Sequence, residues 1–295
     1  MYRPRHAKHG NLRLIIRVLL ILAVAVCIIY PFREPYMIET EKTVIESSLI
    51  SQDVRQIRIV FLSDIHEKAF PFFTAARFSS LVRSVNSLNP DIILLGGDYT
   101  ESPEQTADFF TRLAENRLRA NYGVFAVLGE HDRNPDQSSI TLVRSAMIAA
   151  GVTPLINDCV SIRIGSNTIN IAGLDDITEG WPNLTELASS ITGDNFTIFL
   201  CHNPSIIPEL MQSVNGDGKR GWFQLGLFGH TLGGQIAGAG NLLHLTDDVR
   251  DEYVSGWTVE NRIHLLTSNG IGTVSVPARF LRVPQMHLIT VRSVK

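Results

Sequence analysis

The chain has few cysteines and little surplus charge. Only three cysteines occur in 295 residues, and their spacing fits neither a disulfide framework nor a zinc knuckle. Charged residues make up 19% of the sequence, and 26 basic against 29 acidic side chains leave a formal charge of −3. This balance provides no basic groove for a nucleic acid and no broad field that would attract polyanions. Internal repeats and low-complexity tracts are also absent from the sequence, which therefore indicates a globular domain with a sizeable core.

A long apolar run is present near the amino terminus. Residues 14–30 are apolar except for Arg17, and this length is close to the ~17-residue minimum for a membrane-spanning helix. The amino side of the run is basic, with Arg3, Arg5, Lys8 and Arg13, whereas the other flank has only Arg33 and Lys42. This asymmetry predicts a single-pass signal anchor with an extracytoplasmic domain, and the cytoplasmic face remains the alternative. A signal peptide cleaved near Ala23–Ala25 is a second alternative.

The sequence divides into four segments. They are a basic segment over residues 1–13, the transmembrane anchor over 14–30, a linker and leading strand over 31–56, and one domain over 57–295. Beyond the anchor, short β-branched runs alternate with helical patterns, which is typical of an α/β layered domain. Strands are predicted over residues 57–62, 91–95, 124–128, 161–164, 168–172, 196–200, 225–228, 263–266 and 287–291, and helices over 73–88, 106–118 and 139–150.

Polar side chains follow five of these predicted strands at the point where each strand ends. They are Asp64 with His66, Asp98, Glu130 with His131, His202, and His230. In α/β sheets, ligands bind beyond the carboxyl ends of the strands, so we expect these side chains to meet at one edge. Any one of them has an ordinary explanation as a turn or cap residue. The repetition at successive strand ends is what predicts a site.

The residue types of this predicted site suit a metal centre. Carboxylate and imidazole ligands favour Mn, Zn or Fe over thiophilic metals. Two divalent ions about 3.5–4 Å apart can share a bridging carboxylate, generate hydroxide at neutral pH and stabilise in-line displacement at phosphorus. Gly97, Gly129 and Gly229 stand beside the candidate ligands and permit tight turns there.

The order of the motifs resembles that of calcineurin-like metallophosphoesterases. The motifs are DIH at 64–66, GD at 97–98, GEHD at 129–132, His202, and GHT at 229–231. Residues 61–66 and 229–236 resemble the membrane-associated branch of the family, some members of which hydrolyse UDP-2,3-diacylglucosamine in lipid A synthesis. The resemblance extends from residue 57 to the carboxyl end. It implies a four-layer α/β/β/α sandwich with two metals, here preceded by one transmembrane helix.

The resemblance also implies a role for each residue. The metal ligands would be Asp64 and His66 for the first ion, Asp98 as the bridge, and Glu130, His202 and His230 for the second ion. His131 would contact the phosphoryl group and stabilise or protonate the leaving oxygen. Glu101, three residues after Asp98, matches the position of an acid that orients this histidine in many members.

Two positions depart from the family pattern. Glu130 stands where the family has Asn, and Leu232 stands where it has a second His. A carboxylate at position 130 still binds a divalent cation, whereas leucine cannot coordinate one. We therefore expect one or two ions per chain, a weakened first metal site and reduced activity. His244 and Asp247 are the nearby residues that would be able to compensate.

The predicted function is hydrolysis of a phosphodiester or pyrophosphate in a lipid-linked substrate by a metal-dependent phosphoesterase. The expected partners are this substrate and the membrane, with no nucleic acid, and Phe70, Phe72 and Phe73 are candidate lipid contacts. The alternative function is a catalytically degenerate member that binds a phosphorylated ligand or partner without turnover. Leu232 favours this alternative, while the presence of His131 and Glu101 argues for the enzyme.

Overall fold

The computed structural model describes residues 7–67, 69, 74–134, 136–237 and 246–294. Two six-stranded sheets pack face to face, and helices cover the outer face of each sheet. This arrangement confirms the predicted α/β/β/α sandwich. An apolar helix at the amino end precedes the sandwich, also as predicted.

The first sheet consists of β1 (Glu39–Ser47), β2 (Ile57–Leu62), β3 (Ile92–Leu95), β4 (Val124–Ala126), β5 (Val152–Pro154) and β12 (Gln285–Ser293), in the order β1-β12-β2-β3-β4-β5. The second sheet consists of β6 (Asp158–Ile164), β7 (Asn167–Gly173), β8 (Phe196–Leu200), β9 (Leu225–Phe228), β10 (Gly256–Glu260) and β11 (Ile263–Thr267), in the order β10-β11-β9-β8-β7-β6. The helices are α1 (Ala7–Arg33), α2 (Ala75–Ser87), α3 (Pro103–Glu115), α4 (Gln137–Ala149), α5 (Leu184–Ser189) and α6 (Ile207–Leu210).

The central strands are apolar along their whole length because both of their faces are buried. Between the sheets, Phe61 and Leu94 of the first sheet belong to one buried cluster with Ile198 of the second sheet. On the outer face of the first sheet, Phe109 of α3 and Val143 of α4 form another buried cluster. This double burial explains why β2, β8 and β9 have the bounds that their apolar runs predict.

Residues 31–56, for which a linker and a leading strand were expected, contain the end of α1, a 3-10 turn over Glu34–Tyr36 and strand β1. Strand β1 pairs in parallel with β12, from Glu39 opposite Gln285 to Ser47 opposite Ser293. It lies at the edge of its sheet and is only partly buried, so its sequence lacks a continuous apolar run. The sandwich therefore includes residues that precede position 57.

Helix α1 is longer than its predicted apolar run. Its 27 residues contain most of the 23-residue stretch Leu14–Tyr36, which is long and apolar enough to cross a membrane. The apolar side chains in this stretch are exposed, including Leu19 at 59% and Ile21 at 67%. A core helix of a globular domain would bury such side chains.

Candidate metal centre

The candidate site lies where the carboxyl ends of strands from both sheets meet. Strands β2, β3 and β4 run parallel in the first sheet, and β8 and β9 run parallel in the second. The loops after them carry Asp64, His66, Asp98, Glu130, His131, His202 and His230. The single edge expected from the sequence is therefore the joint edge of two facing sheets.

Asp98 is the central carboxylate of the site. Its Oδ2 lies 2.8 Å from His131 Nδ1, 3.2 Å from His202 Nε2 and 3.7 Å from His66 Nε2. Burial alone would raise the pKa of Asp98, but the charge of His202 and the hydrogen bonds from His131 and His202 hold it well below its usual value. Asp98 is therefore ionised and surrounded by imidazoles, as a bridging ligand would be.

Within the described residues, several buried atoms at this site form no well-aligned hydrogen bond, although His202 Nε2 and His230 Nδ1 each lie 3.2 Å from a carboxylate oxygen. They are Asp64 Oδ2, Glu130 Oε2, His202 Nε2 and His230 Nδ1. Such atoms are nearly always paired in folded proteins, because an unpaired buried polar atom is costly. Ligand atoms within 4.8 Å of one another occur in the sets His66–Asp98–His131, Glu130–His202–His230 and Asp64–Asp98–His202. The unpaired oxygen and nitrogen atoms fit divalent metal ions.

The second half of the centre contains Glu130, His202 and His230. Glu130 Oε2 lies 3.2 Å from His230 Nδ1. His202 Nδ1 lies 2.8 Å from the carbonyl oxygen of Gly96, which fixes the ring and leaves Nε2 directed at the centre. A backbone or carboxylate partner on the other ring nitrogen is the usual arrangement for a metal-binding histidine.

Asp248 is a residue of this half that the sequence did not identify. Its Oδ1 lies 3.6 Å from His230 Nε2, and its Oδ2 accepts a 2.8 Å hydrogen bond from the Asn203 side chain. Asp248 is thus placed to orient the His230 ring. It belongs to no recognisable motif and lies 18 positions after His230 in the chain, so only the fold reveals the contact.

The first half contains Asp64 and His66. Asp64 Oδ1 accepts a 2.8 Å hydrogen bond from the backbone N–H of His230, which ties the two sheets together at this point. His66 Nδ1 lies 2.8 Å from Glu101 Oε1, whereas the other Glu101 oxygen is 4.0 Å from His131 Nε2. Glu101, expected from the resemblance to orient His131, therefore makes its close contact with His66 in this structure.

Leu232 occupies the ligand position that departs from the family pattern. Its side chain is fully buried. A Cβ atom added to Gly270 would lie 3.0 Å from Leu232 Cδ2 and 2.5 Å from Asp64 Cβ, so Leu232 packs in the wall behind Asp64. Among the described residues, no candidate ligand set includes Asp247. The other proposed replacement, His244, lies outside the described residues, as do the three candidate lipid contacts at positions 70, 72 and 73.

Asp132 is a further residue to which the sequence assigned no role. Its buried carboxylate accepts backbone hydrogen bonds from Asp98 at 2.7 Å, Tyr99 at 3.0 Å and Gly129 at 2.9 Å, and a fourth from the Thr106 hydroxyl at 2.9 Å. Burial and the nearby charge of Asp98 raise the pKa of Asp132 to about 7. Asp132 thereby joins the loops after β3 and β4, which carry the central ligand and His131.

The backbone of the site is strained. Left-handed φ values occur at Asp64 (50°), His66 (44°), Asp98 (54°), His230 (70°) and Leu232 (50°). Such values cost a non-glycine residue on the order of 1–3 kcal/mol and persist only where the surrounding structure imposes them. Of the thirteen non-glycine residues with a left-handed φ in the described part of the chain, five are therefore on the loops that carry the candidate ligands.

Residues 57–233 match the sequence model of the family described as calcineurin-like phosphoesterase. The chain belongs to the calcineurin-like phosphoesterase family. The matched segment contains every candidate ligand from Asp64 to His230, together with Glu101 and His131. This family uses divalent metals, and the described residues contain candidate ligand groups for such ions.

Several curated proteins are similar to this metallophosphoesterase. The uncharacterized metallophosphoesterase YkuE of Bacillus subtilis (strain 168) is 29% identical over 265 residues, which cover 89% of this chain and 88% of that protein. Phosphodiesterase YaeI of Escherichia coli (strain K12) is 27% identical over 224 residues, covering 74% and 76%. A transmembrane protein with metallophosphoesterase domain of Bos taurus is 30% identical over 197 residues, covering 62% and 42%. Family and relatives together identify a phosphoric ester hydrolase.

Proposed function

We propose that this chain hydrolyses a phosphodiester or pyrophosphate of a membrane-associated, lipid-linked substrate. The proposed ligands for Mn, Zn or Fe are Asp64, His66, Asp98, Glu130, His202 and His230. The observation that carries the proposal is the convergence of buried carboxylate and imidazole ligand atoms from both sheets around the ionised Asp98. A divalent ion bound there would activate water for attack and offset the charge of the phosphoryl oxygens.

His131 is the proposed acid for the leaving group. Asp98 accepts one hydrogen bond from the backbone N–H of His131 at 3.0 Å and another from its Nδ1 at 2.8 Å. The Nε2 atom of His131 is therefore available to the substrate. The His131 side chain is 36% exposed, against 11% for His230 and 1% or less for the other two site histidines. The hydrogen bond that His131 Nδ1 donates to Asp98 raises the pKa of His131 to about 9. It is therefore protonated at neutral pH and able to donate to the leaving oxygen.

The first metal position is proposed to bind its ion more weakly than the second. Leu232 supplies no ligand atom, which leaves Asp64 and His66 with the shared Asp98. Affinity falls when a ligand is lost, so one ion is expected to bind tightly and a second only at higher metal concentration. Catalytic sites commonly keep an open coordination position, so reduced affinity is compatible with turnover.

Helix α1 is proposed to anchor the chain in a membrane, with the domain on the extracytoplasmic side. At about 1.5 Å per residue, the 23 residues of Leu14–Tyr36 extend roughly 34 Å, enough for a hydrocarbon core of about 30 Å. The excess of basic residues before this stretch supports a cytoplasmic amino terminus. The word "transmembrane" in the name of the Bos taurus relative agrees with the anchor.

The hydrolytic function is tested with the full-length chain in detergent. Hydrolysis of bis(p-nitrophenyl) phosphate is followed during Mn and Zn titrations, for the parent and for Asp98→Asn and Leu232→His. Asp158→Asn, at an exposed position of β6, is the matched control. Metal-dependent turnover that only Asp98→Asn abolishes is the expected result.

The same experiment distinguishes the second candidate function, binding of a phosphorylated ligand without turnover. The buried leucine at a ligand position is the observation that favours it. An inactive parent together with an active Leu232→His variant would establish a scaffold disabled at its first metal position, and would reject hydrolysis as the function of the natural chain.

A further inference from the structure

We infer that one face of the phosphoesterase domain rests on the membrane surface. This interfacial face consists of Phe32, Tyr36, Met37 and Leu281, which are 53%, 54%, 50% and 59% exposed. The first three residues lie at the carboxyl end of the proposed span. Leu281, although distant in the sequence, lies beside the same end of the span. The inference rests on the proposed membrane span and is independent of the proposed hydrolysis.

The end of α1 contacts the domain directly. The carbonyl oxygen of Pro31 accepts a 2.9 Å hydrogen bond from the backbone N–H of Arg279. At the preceding residue, the Tyr30 ring meets the Phe280 ring edge-on, with centroids 6.1 Å apart. These contacts fix the direction in which the span leaves the domain, and they bring segment 279–282 beside the end of the helix.

Glu34 determines the depth at which this segment lies. It falls within the apolar stretch Leu14–Tyr36, and its side chain is fully buried. Its two carboxylate oxygens accept backbone hydrogen bonds from Leu281 at 2.8 Å and Arg282 at 2.6 Å. A carboxylate at the membrane boundary is costly unless it is paired, and here the pairing comes from the domain. Leu281 must therefore lie at the depth of Glu34, where the span leaves the hydrocarbon.

The composition of the face suits a bilayer interface with anionic lipids. Tyr36 is an amphipathic ring of the kind enriched at the level of the lipid headgroups. The guanidinium of Arg77 lies 5.0 Å from the centre of that ring. Arg33 is exposed in the last turn of α1, and Arg282 adjoins Leu281. Basic side chains at this level attract anionic headgroups.

The interfacial face is connected to the metal centre. The backbone of Phe280 exchanges hydrogen bonds with Gln235 (3.0 Å) and Ala237 (2.8 Å), in the segment that follows the His230 loop. Arg279 is fully buried, and its guanidinium donates to the carbonyl oxygens of Gly272 and Asn269 in the loop behind Asp64. Contact with the membrane would hold the candidate metal centre at a fixed distance from the membrane surface. If the proposed hydrolysis is correct, this position suits a phosphoester in the headgroup layer.

The inference is tested on the full-length chain in lipid nanodiscs that contain phosphatidylcholine and phosphatidylglycerol. A nitroxide label is placed at Leu281→Cys or at Val259→Cys after the three native cysteines are replaced by alanine. Val259 on β10 is the matched control, because both side chains are 59% exposed. Power-saturation measurements then compare collisions of each label with oxygen and with a water-soluble nickel chelate. We expect a several-fold higher oxygen-to-nickel ratio at position 281 than at position 259.

A third label, at Met37→Cys, separates the remaining outcomes. Equal ratios at 281 and 259 with a high ratio at 37 would overturn the inference, because the span would be inserted while the domain stands off the bilayer. A low ratio at 37 would overturn the span and the inference together. Glu34→Ala is expected to lower the ratio at 281 and to leave that at 259 unchanged. A chain with the expected contrast but no hydrolysis would retain the interfacial face and lose only the proposed function.

Discussion

The two halves of the candidate metal centre share Asp98 but differ in their remaining proposed ligands. The second half has Glu130, His202 and His230, of which His202 is fully buried. The first half has Asp64 and His66, and it faces the apolar side chain of Leu232 where the family pattern has a ligand. Both halves stand on parallel strands with strained ligand loops. The asymmetry thus arises from one side chain in an otherwise complete framework, which is why we expect unequal affinities for metal.

The largest expected effect comes from removing one proposed ligand from each half, which tests whether the two halves bind metal with unequal affinity. His202→Ala is expected to lower the affinity for the tightly held ion by at least about 100-fold, the upper end for loss of an outer-shell partner. His66→Ala should leave that ion bound and affect only the weaker one. The metal content of each variant after dialysis measures these two effects, and thermal melting tests whether each variant is folded. Equal losses in the two variants would contradict unequal halves.

Placing a histidine at position 232, where the family pattern has one, should make the metal affinities of the two halves more nearly equal. Leu232→His is expected to raise the affinity for the weakly held ion at the first position by roughly 100-fold, because it adds an imidazole at a position already beside Asp64. The number of tightly held ions per chain would then rise from one to two. Isothermal titration with Mn measures the change, and Leu232→Ala controls for loss of packing. Two tight ions in the parent chain would show that Leu232 does not weaken the first position.

Asp248 and Glu101 each lie beside a proposed histidine ligand, and substituting them is expected to have a smaller effect on metal affinity than removing a ligand. Asp248→Asn should weaken metal binding at the second half through His230, and Glu101→Gln should do so at the first half through His66. Loss of such a partner typically costs about 10–100-fold in affinity. If Glu101 acts on His131 instead, as the family resemblance implies, Glu101→Gln would lower kcat and leave the metal affinity unchanged.

The sequence predicts those parts of the molecule that depend on local residue patterns, and it does not predict those that depend on contacts between distant segments. Strands β2, β8 and β9 are buried on both faces, so each appears as an apolar run with clear ends. Strands β1 and β10 lie at sheet edges and are partly exposed, and neither has such a run. Burial on both faces therefore makes the bounds of a strand predictable, whereas the edge strand β6 is predicted only in part, over residues 161–164.

The candidate site shows a similar division. Asp98 and His202 are predictable because each directly follows a buried strand. The role of Asp132 depends on N–H groups from two different loops, and that of Asp248 depends on a histidine in another segment. The close partner of Glu101 differs from the one that the family resemblance implies. Hydrogen-bond partners between loops depend on tertiary structure, and no local pattern encodes them.

Metal binding at the second half is also expected to depend on pH. Burial would lower the pKa of His230, but the neighbouring carboxylates of Asp248 and Glu130 raise it to about 9 when no ion is bound. A metal must displace the proton below that pH, so affinity at the second half should rise by up to about tenfold per pH unit between pH 7 and 9 and then level off. Calorimetric titrations in two buffers with different heats of ionisation measure the protons released. In Asp248→Asn the pKa of His230 should be lower, so fewer protons should be released at pH 8. Affinity that does not change over this range would mean that His230 is already neutral before the metal binds.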